Sequence, residues 1–418
     1  VKTDSTHPAA RYPLLWIATY FFPRYYGGAV QIYDGLMRRM KSLDITVLGE
    51  SQGADPEKIA AFDRSAPAER GYAVRRLDRL SLHFTRPTVA HKIFQSLSYY
   101  YFTRREFMRC VASIQPAIVI NGASFGTSWL LNRLPPSIAR VNFILGEELT
   151  QHVVYGAVTW RLHKEQLRAM AQADMNIVIS RFTGEKLAEL AQVPPEKITV
   201  LPCAVDTARF HPPLDREEAR RGLGWAGKTV LLTIARLIPR KGIDLVLRAL
   251  ERLQTAGELA ENWVYVIAGR GPEEKNLREL CARLGLGGRV QFYGFVPNED
   301  LARLYGAADV FVQTNREIDG DTEGFGIVFL EANACATPVV GGIAGGTADA
   351  IEDGLTGLRV DGDDLEAIGQ ALGTLIRDEA LRKKMGQAGR DRAVNDFDIQ
   401  VCARRLETLL INLVGELK

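Results

Sequence analysis

Cysteine is scarce in this chain. Cys110, Cys203, Cys281, Cys335 and Cys402 are the only five among 418 residues, odd in number and without a Cys-x2-Cys pair. The pattern argues against a disulfide framework or a structural zinc site, and it fits five small buried hydrophobes in a reducing compartment. Long hydrophobic runs are also missing. A membrane-spanning helix needs roughly 18–20 apolar residues in succession, and the nearest approach, Leu14–Phe22, is short, follows Pro13 and reads as a buried strand. Val1–Tyr12 has no apolar signal core and reads as a polar lead-in without a secretory address. Nor does a Gly-x-Gly-x-x-Gly follow the first expected strand. Gly27-Gly28 stands there instead, which argues against a dinucleotide oxidoreductase.

What is present is ordinary for a globular protein: 46% apolar and 24% charged residues, unlike a disordered chain. At roughly 150 residues per domain the length calls for two or three domains. The net charge of +2 conceals a split. Residues 1–207 carry 25 Lys/Arg against 18 Asp/Glu, whereas 208–418 carry 27 against 32. The segment 70–109 accounts for the whole N-terminal excess, with nine basic residues against Asp78 and Glu106. Phe84, Phe94, Tyr99, Tyr100, Tyr101, Phe102 and Phe107 are interleaved with them. Such a segment attracts anionic lipid headgroups or a phosphate-bearing substrate; its plainer reading is a solvated face with aromatics packed inward. No nucleic-acid-binding module accompanies the charge, so nucleic acid is not an expected partner.

Short β-rich runs alternate with longer amphipathic stretches. Strands are expected at Leu14–Tyr20, Ile45–Leu48, Ala117–Ile120, Arg140–Leu145 and Asn176–Ile179, with helices at Val30–Lys41 and Trp160–Ala171 among them. The rhythm restarts after Leu201. Strands follow at Val230–Ile234, Val264–Ala268, Val290–Phe292, Val310–Gln313, Pro338–Val340 and Leu358–Val360, with helices near 242–255, 273–284, 299–306 and 326–335. This alternation predicts two doubly wound α/β domains with parallel sheets. Pro212, Pro213 and a charged run break the periodicity between them. The expected organisation is an N-terminal domain at 1–207, a C-terminal domain at 208–395 and a helical tail at 396–418 that packs back toward the first. Ligands of such sheets bind at the carboxyl ends of the strands, so two domains facing each other would form a cleft there.

Three segments carry chemistry. In Asp319–Val340 (DGDTEGFGIVFLEANACATPVV), a turn with Gly324 and Gly326 runs into an apolar helical pattern. A helix start presents unpaired N–H groups and a positive dipole end, and glycines let an anion approach. Glu323 precedes that helix and Glu331 follows eight residues later. On a continuous helix the two carboxylates would lie within about 80° of each other, roughly 12 Å apart along the axis, and could grip two parts of one polyhydroxylated ligand. In Ile234–Asp244 (IARLIPRKGID), Arg236, Arg240 and Lys241 lie between a strand end and a helix start. Two fixed cations placed there would stabilise a departing diphosphate. In Phe22–Val30 (FPRYYGGAV), the Gly27-Gly28 pair sits between the first strand and its helix. Alone, that pair marks only a turn.

Taken together, these segments resemble the retaining GT-B glycosyltransferases of glycosyltransferase family 4, over nearly the whole chain. VLPCAVDTARF at 200–210 is similar to the family's "vIPNGVDtxxF", with Cys203 and Ala204 in place of Asn and Gly. The Arg-x4-Lys pair is Arg236 and Lys241, AGRGP at 268–272 resembles "AGxGP", and GFVPNEDL at 294–301 resembles the segment that reads the nucleotide base near Val296. The Glu-x7-Glu signature, Glu323 to Glu331, is the most specific match. One departure is plain. Where many members place a His before Gly, this chain has Leu145, followed by Gly146, Glu147 and Glu148, with His152 beyond.

The resemblance implies a GT-B fold, two Rossmann-like domains with an interdomain cleft. It implies transfer of a hexosyl group, with retention, from a nucleotide-diphosphate sugar to an acceptor hydroxyl. Arg236 and Lys241 would hold the diphosphate, Glu323 the sugar hydroxyls and Glu331 the ribose. The backbone from Gly324 and Phe325 through Gly326, Ile327 and Val328 would meet the distal phosphate or sugar, while Gly27 and Gly28 would approach from the N-terminal domain. No metal or cofactor is expected: Asp319/Asp321 and Asp361/Asp363 read as polar loops. The donor is a substrate, with a UDP-sugar favoured over a GDP-sugar. A lipid-linked or glycan acceptor, a role in polysaccharide or glycolipid synthesis, and a cytoplasmic location with contact between 70–109 and anionic membrane complete the expectation. The rival readings are a sugar-nucleotide epimerase of the same fold, which would turn over donor without acceptor, and a non-catalytic sugar-nucleotide binder.

Overall fold

The computed structural model describes residues 11–23, 28–51, 55–78, 80, 89–122, 127–146, 149, 157–259 and 261–417, with backbone alone at 89–97 and 157–162. The chain divides into two compact units, Val1–Leu201 with Gln400–Lys418, and Pro202–Ile399. The division falls ahead of the composition-based boundary at 207/208 for a reason that composition does not carry. The Val205 N–H donates to the Phe397 carbonyl and the Ile399 N–H to the Val205 carbonyl, each at 2.9 Å, so 202–207 is stitched to the far end of the second unit. The last helix, Ile399–Glu416, is grouped from Gln400 onward with the first unit, where Glu407 accepts the Ser42 N–H.

The first unit is built on seven parallel strands: β1 (Tyr12–Ile17), β2 (Leu43–Glu50), β3 (Ala73–Leu77), β4 (Ile118–Asn121), β5 (Ala139–Ile144), β6 (Met175–Val178) and β7 (Ile198–Val200). Their order is β3-β2-β1-β4-β5-β6-β7. The central strands are continuous apolar runs because helices cover both faces of a parallel sheet. Leu14, Leu15, Trp16, Ile17, Ile118, Val119 and Ile120 are all fully buried. β1 is shorter than its apolar run, which continues to Phe22 beyond the strand end at Ile17. β3 and β7, the two edges of this sheet, escape sequence reading because they alternate or expose their residues. β3 carries Arg75 and Arg76, and Arg76 forks onto Asp63 at 2.7 Å.

The second unit repeats the plan with six parallel strands: β8 (Thr229–Ile234), β9 (Trp263–Ala268), β10 (Val290–Gly294), β11 (Val310–Gln313), β12 (Val339–Gly342) and β13 (Gly357–Val360). Their order is β10-β9-β8-β11-β12-β13. The helices Ile243–Thr255 and Leu365–Arg377 place Ile243, Val246, Leu247 and Leu250, and Ile368, Leu372 and Leu375, into the core of this sheet. That is the three-and-four spacing of an amphipathic helix. Strand order reverses direction between β8 and β11. Connections from the two strands therefore leave on opposite faces, and the crevice at their carboxyl ends is open to a ligand.

Candidate functional site

The carboxyl end of β8 leads through Ala235 and Arg236 to a single 3-10 turn, Pro239–Lys241, and Gly242, from which the helix Ile243–Thr255 starts. β11, beside it, ends at Gln313. From these two strand ends and from the segment ahead of the helix Ile327–Ala334, side chains converge on one oxygen. Glu323 Oε2 accepts from Lys241 Nζ at 2.5 Å, Arg240 Nη1 at 3.1 Å and Gln313 Nε2 at 3.3 Å. Arg240 Nε also donates to Asp321 at 3.0 Å. Burial alone would raise the pKa of Glu323, but Lys241 and Arg240 outweigh it and hold the carboxyl below its ordinary value. The carboxylate is ionised at neutral pH. Arg236 is exposed, and its side chain makes no hydrogen bond or ion pair among the described residues.

The glycine turn has the geometry that an anion site needs. Gly326 sits at φ 88°, and a Cβ there would lie 2.5 Å from the Phe329 ring, so only glycine is accommodated. It opens the helix Ile327–Ala334 with no side-chain cap, and among the described residues the N–H groups of Ile327 and Val328 have no partner. Phe325 is buried with its ring edge against Phe397, while the carbonyl of Glu323 accepts the Gly346 N–H at 2.8 Å. Because Glu323 stands four residues ahead of the first helical position, across a left-handed glycine, the helical projection that relates it to Glu331 does not apply. The two carboxylates have separate surroundings.

Those surroundings drive their charges apart. Glu331 accepts the phenol of Tyr305 at 2.8 Å. Burial pushes its pKa up to about 7, against the opposing pull of that hydrogen bond and of the Arg209 charge. Tyr305 is itself fully buried, in ring contact with Phe210 and Phe311. One carboxylate is thus clamped by cations, while the other is held by a neutral phenol close to its titration point. Val296 follows β10 and is buried, with Phe295 exposed beside it.

Of the other sequence-level candidates, Gly28 begins the first unit's helix Gly28–Met37, exposed and with nothing within 4 Å of an added Cβ. Leu145 and Gly146 follow β5. Gly27, Glu147, Glu148 and His152 lie outside the described residues. Asp319 and Asp321 lie in a tight turn closed by the Ile318–Asp321 bridge, and Asp361 accepts the Asp363 N–H at 3.0 Å just after β13. Among the described residues, no group of three or more His, Cys, Asp or Glu side chains could hold a metal ion. Three residues to which sequence reading gave no role hold the two glutamates: Arg240 and Gln313 on Glu323, and Tyr305 on Glu331. The first was visible as a third cation in IARLIPRKGID, but its partner, Asp321, is 81 positions away. Nothing local distinguishes Gln313 or Tyr305 from core residues.

Two nucleotide-binding-type α/β units, the second with a cationic and glycine-lined site at its switch point, define a two-domain GT-B fold. Residues 26–209 match the family described as Glycosyltransferase Family 4, and residues 215–392 match Glycosyl transferases group 1. The chain belongs to this glycosyltransferase family. It is 37% identical over 241 residues to the GDP-mannose-dependent alpha-(1-6)-phosphatidylinositol monomannoside mannosyltransferase of Mycolicibacterium smegmatis, covering 57% of this chain and 62% of that protein. It is 36% identical over 223 residues to the D-inositol 3-phosphate glycosyltransferase of Acidothermus cellulolyticus, covering 52% and 48% respectively. The matches thus span about half to three-fifths of the length of these relatives. In fold, the chain resembles the sucrose-phosphate synthase of Thermosynechococcus elongatus, with a TM-score of 0.75 at 20% identity over 97% of this chain and all of that one.

Proposed function

We propose that the protein is a retaining, metal-independent hexosyltransferase that takes a sugar from a nucleotide diphosphate. The observation that carries this reading is the meeting of Lys241 and Arg240 with Glu323 beside the uncapped start of the helix Ile327–Ala334, at the β8/β11 switch point. Lys241 and Arg236, whose side chain has no partner among the described residues, supply the charge that a departing diphosphate needs, and the helix start supplies N–H donors. Glu323, kept ionised, accepts from sugar hydroxyls, and Glu331 from the ribose. Ordered cations and dipoles of this kind stabilise developing charge without reorganising, which suits a front-face route in which the leaving phosphate takes the acceptor's proton.

The relative that acts with GDP-mannose on a phosphatidylinositol mannoside supports GDP-mannose as a donor, set against the UDP-sugar that the sequence favoured, and a lipid-linked polyol or glycan as acceptor. A thermal-shift series with UDP- and GDP-sugars, followed by an assay for free nucleotide diphosphate with and without acceptor, decides among the readings. A matched donor at about 100 times its Kd stabilises by about 2.7 kcal/mol. Product only with acceptor, unaffected by chelator, is the expected result. Epimerised donor without acceptor, or binding without product, would replace transfer by isomerisation or by a binding role.

A membrane-surface acceptor has support in the first unit, though less of the charge is available than the sequence offers. Arg70 is spent on Asp34 at 2.7 Å and stacks over Phe22 and Phe62, and Arg76 is spent on Asp63. Tyr99 and Phe107 face the core. Arg79, Phe84 and Arg86 lie outside the described residues, as do the side chains of Lys92 and Phe94. On the helix Val89–Ile114, however, Tyr101 (62% exposed) and Phe102 (54%) stand out with exposed Arg104, Arg105 and Arg109. Among the described residues, no helix is long and apolar enough to cross a membrane. Anionic liposomes are expected to recruit the protein at low salt and release it at high salt. Reversing Arg105 and Arg109 to Glu should weaken recruitment by about tenfold or more, at roughly 1 kcal/mol per basic residue near the surface. Equal sedimentation with neutral and anionic liposomes would remove the membrane from this reading.

A further inference from the structure

We propose that Arg240 is a positioning residue for the transfer reaction: it keeps Glu323 charged and aimed at the donor sugar so that Lys241 is free to move onto the diphosphate. This rests on the donor-site reading above and adds a residue to it. In the structure as it stands, Lys241 cannot serve two partners without cost. Its ammonium is 2.5 Å from Glu323, and the Glu323 side chain is only 15% exposed. Once a diphosphate draws Lys241 away, a carboxylate in that position would lose a cation and be left poorly solvated, and the penalty would fall on donor binding. Arg240 removes this conflict. It reaches the same Glu323 oxygen at 3.1 Å through Nη1 while its Nε is anchored on Asp321 at 3.0 Å.

The anchoring extends behind Arg240 as well. Its carbonyl accepts the Arg316 N–H at 2.9 Å, and the Arg316 guanidinium bonds both oxygens of Asp244 at 3.1 Å. The backbone that carries Arg240 is therefore tied to the chain after β11 and to the helix Ile243–Thr255. A planar guanidinium fork held at both ends keeps its geometry, whereas the lysine ammonium rides on a flexible four-carbon stem and can change partners. The groups around the Glu323 carboxylate are Lys241 and Arg240 from the turn after β8, Gln313 from β11, and Asp321 from its own segment, one step removed through Arg240. Gln313 is neutral. With Lys241 on the donor, Arg240 is the cation left on the carboxylate.

The test uses the whole chain and a turned-over nucleotide-diphosphate sugar, with kcat and KM measured from about pH 3.5 to 9, a range that reaches below the ordinary carboxylate value. Arg240→Gln is expected to raise the donor KM by about tenfold, with a smaller change in kcat, and to move to higher pH the lowest-pH inflection of kcat/KM, the one that belongs to Glu323 and lies below that of Glu331, because Glu323 becomes easier to protonate. Arg240→Lys should restore much of both effects, since one cation again faces Glu323. A purely structural arginine would lower the melting temperature of Arg240→Gln and leave the donor KM and acid limb of its folded fraction as in the wild type. That outcome overturns the proposal. If Arg240→Gln does not fold, Asp321→Ala decides, because it removes the anchor from Arg240 Nε and leaves the cation in place: a donor KM above wild type by severalfold or more upholds the proposal, and wild-type kinetics overturn it. Absence of turnover of any nucleotide sugar by the wild type overturns the donor-site reading and this inference with it, and is thereby told apart from failure of the Arg240 role alone.

Discussion

Lys241→Ala is expected to lower turnover of a nucleotide-diphosphate sugar by about 10²–10³-fold, the loss typical of removing one preorganised donor from a developing anion. The structure indicates why folding should survive the change. Glu323 keeps Arg240 at 3.1 Å and Gln313 at 3.3 Å, so no buried carboxylate is stranded, and a stability loss within about 1 kcal/mol is expected. Arg236→Ala should behave alike, with an even smaller effect on folding, because its exposed side chain has no partner among the described residues. Denaturation curves and initial rates on the same preparations provide the check. Both variants turning over donor at near wild-type rates would mean that the cations at the end of β8 do not carry the leaving group, and the proposed chemistry would fall.

The largest stability effect should come from a residue with no chemistry of its own. Gly242→Ala places a Cβ 2.1 Å from the Thr314 carbonyl oxygen and 2.5 Å from its hydroxyl, at a backbone φ of 71°. The left-handed conformation costs about 1–3 kcal/mol for a side-chain-bearing residue, and the overlap is with backbone that cannot rotate aside. A loss of about 3 kcal/mol or more in unit Pro202–Ile399 follows. Activity should fall further than stability explains, since relieving the clash separates the turn that carries Arg240 and Lys241 from the end of β11 that carries Gln313. A variant within about 1 kcal/mol of wild type in urea unfolding would show that this turn is not clamped as described.

These two expectations draw on different kinds of information, and the contrast runs through the molecule. The central strands of both sheets were readable because burial on both faces makes them continuous apolar runs: Val230–Ile234 and Val264–Ala268 lie within β8 and β9, and Val310–Gln313 coincides with β11. The edges of the second sheet, β10 and β13, were readable too, at Val290–Phe292 and Leu358–Val360, but those of the first were not. β3 looks like a basic loop until Arg76 meets Asp63, and β7 exposes too much of its length to alternate cleanly. The C-terminal segment divided where long-range backbone bonds from Val205 place it, a feature that no window of sequence contains.

The same division holds at the site. Local order along the chain was enough to mark a helix start at the Gly324/Gly326 turn, within two residues of its place at Ile327, a cationic turn after β8 and two carboxylates eight residues apart, because each is a short-range pattern with its own steric or electrostatic cause. Which cation meets which carboxylate was a matter of strand order. Lys241 and Glu323 are 82 residues apart and come together because β11 lies directly against β8 in the sheet. That adjacency also made Arg240 a partner of Glu323 and left Glu331 to the phenol of Tyr305. Burial and neighbouring charge set the ionisation of each acid, and both are properties of the packed chain, which the spacing of two glutamates cannot encode.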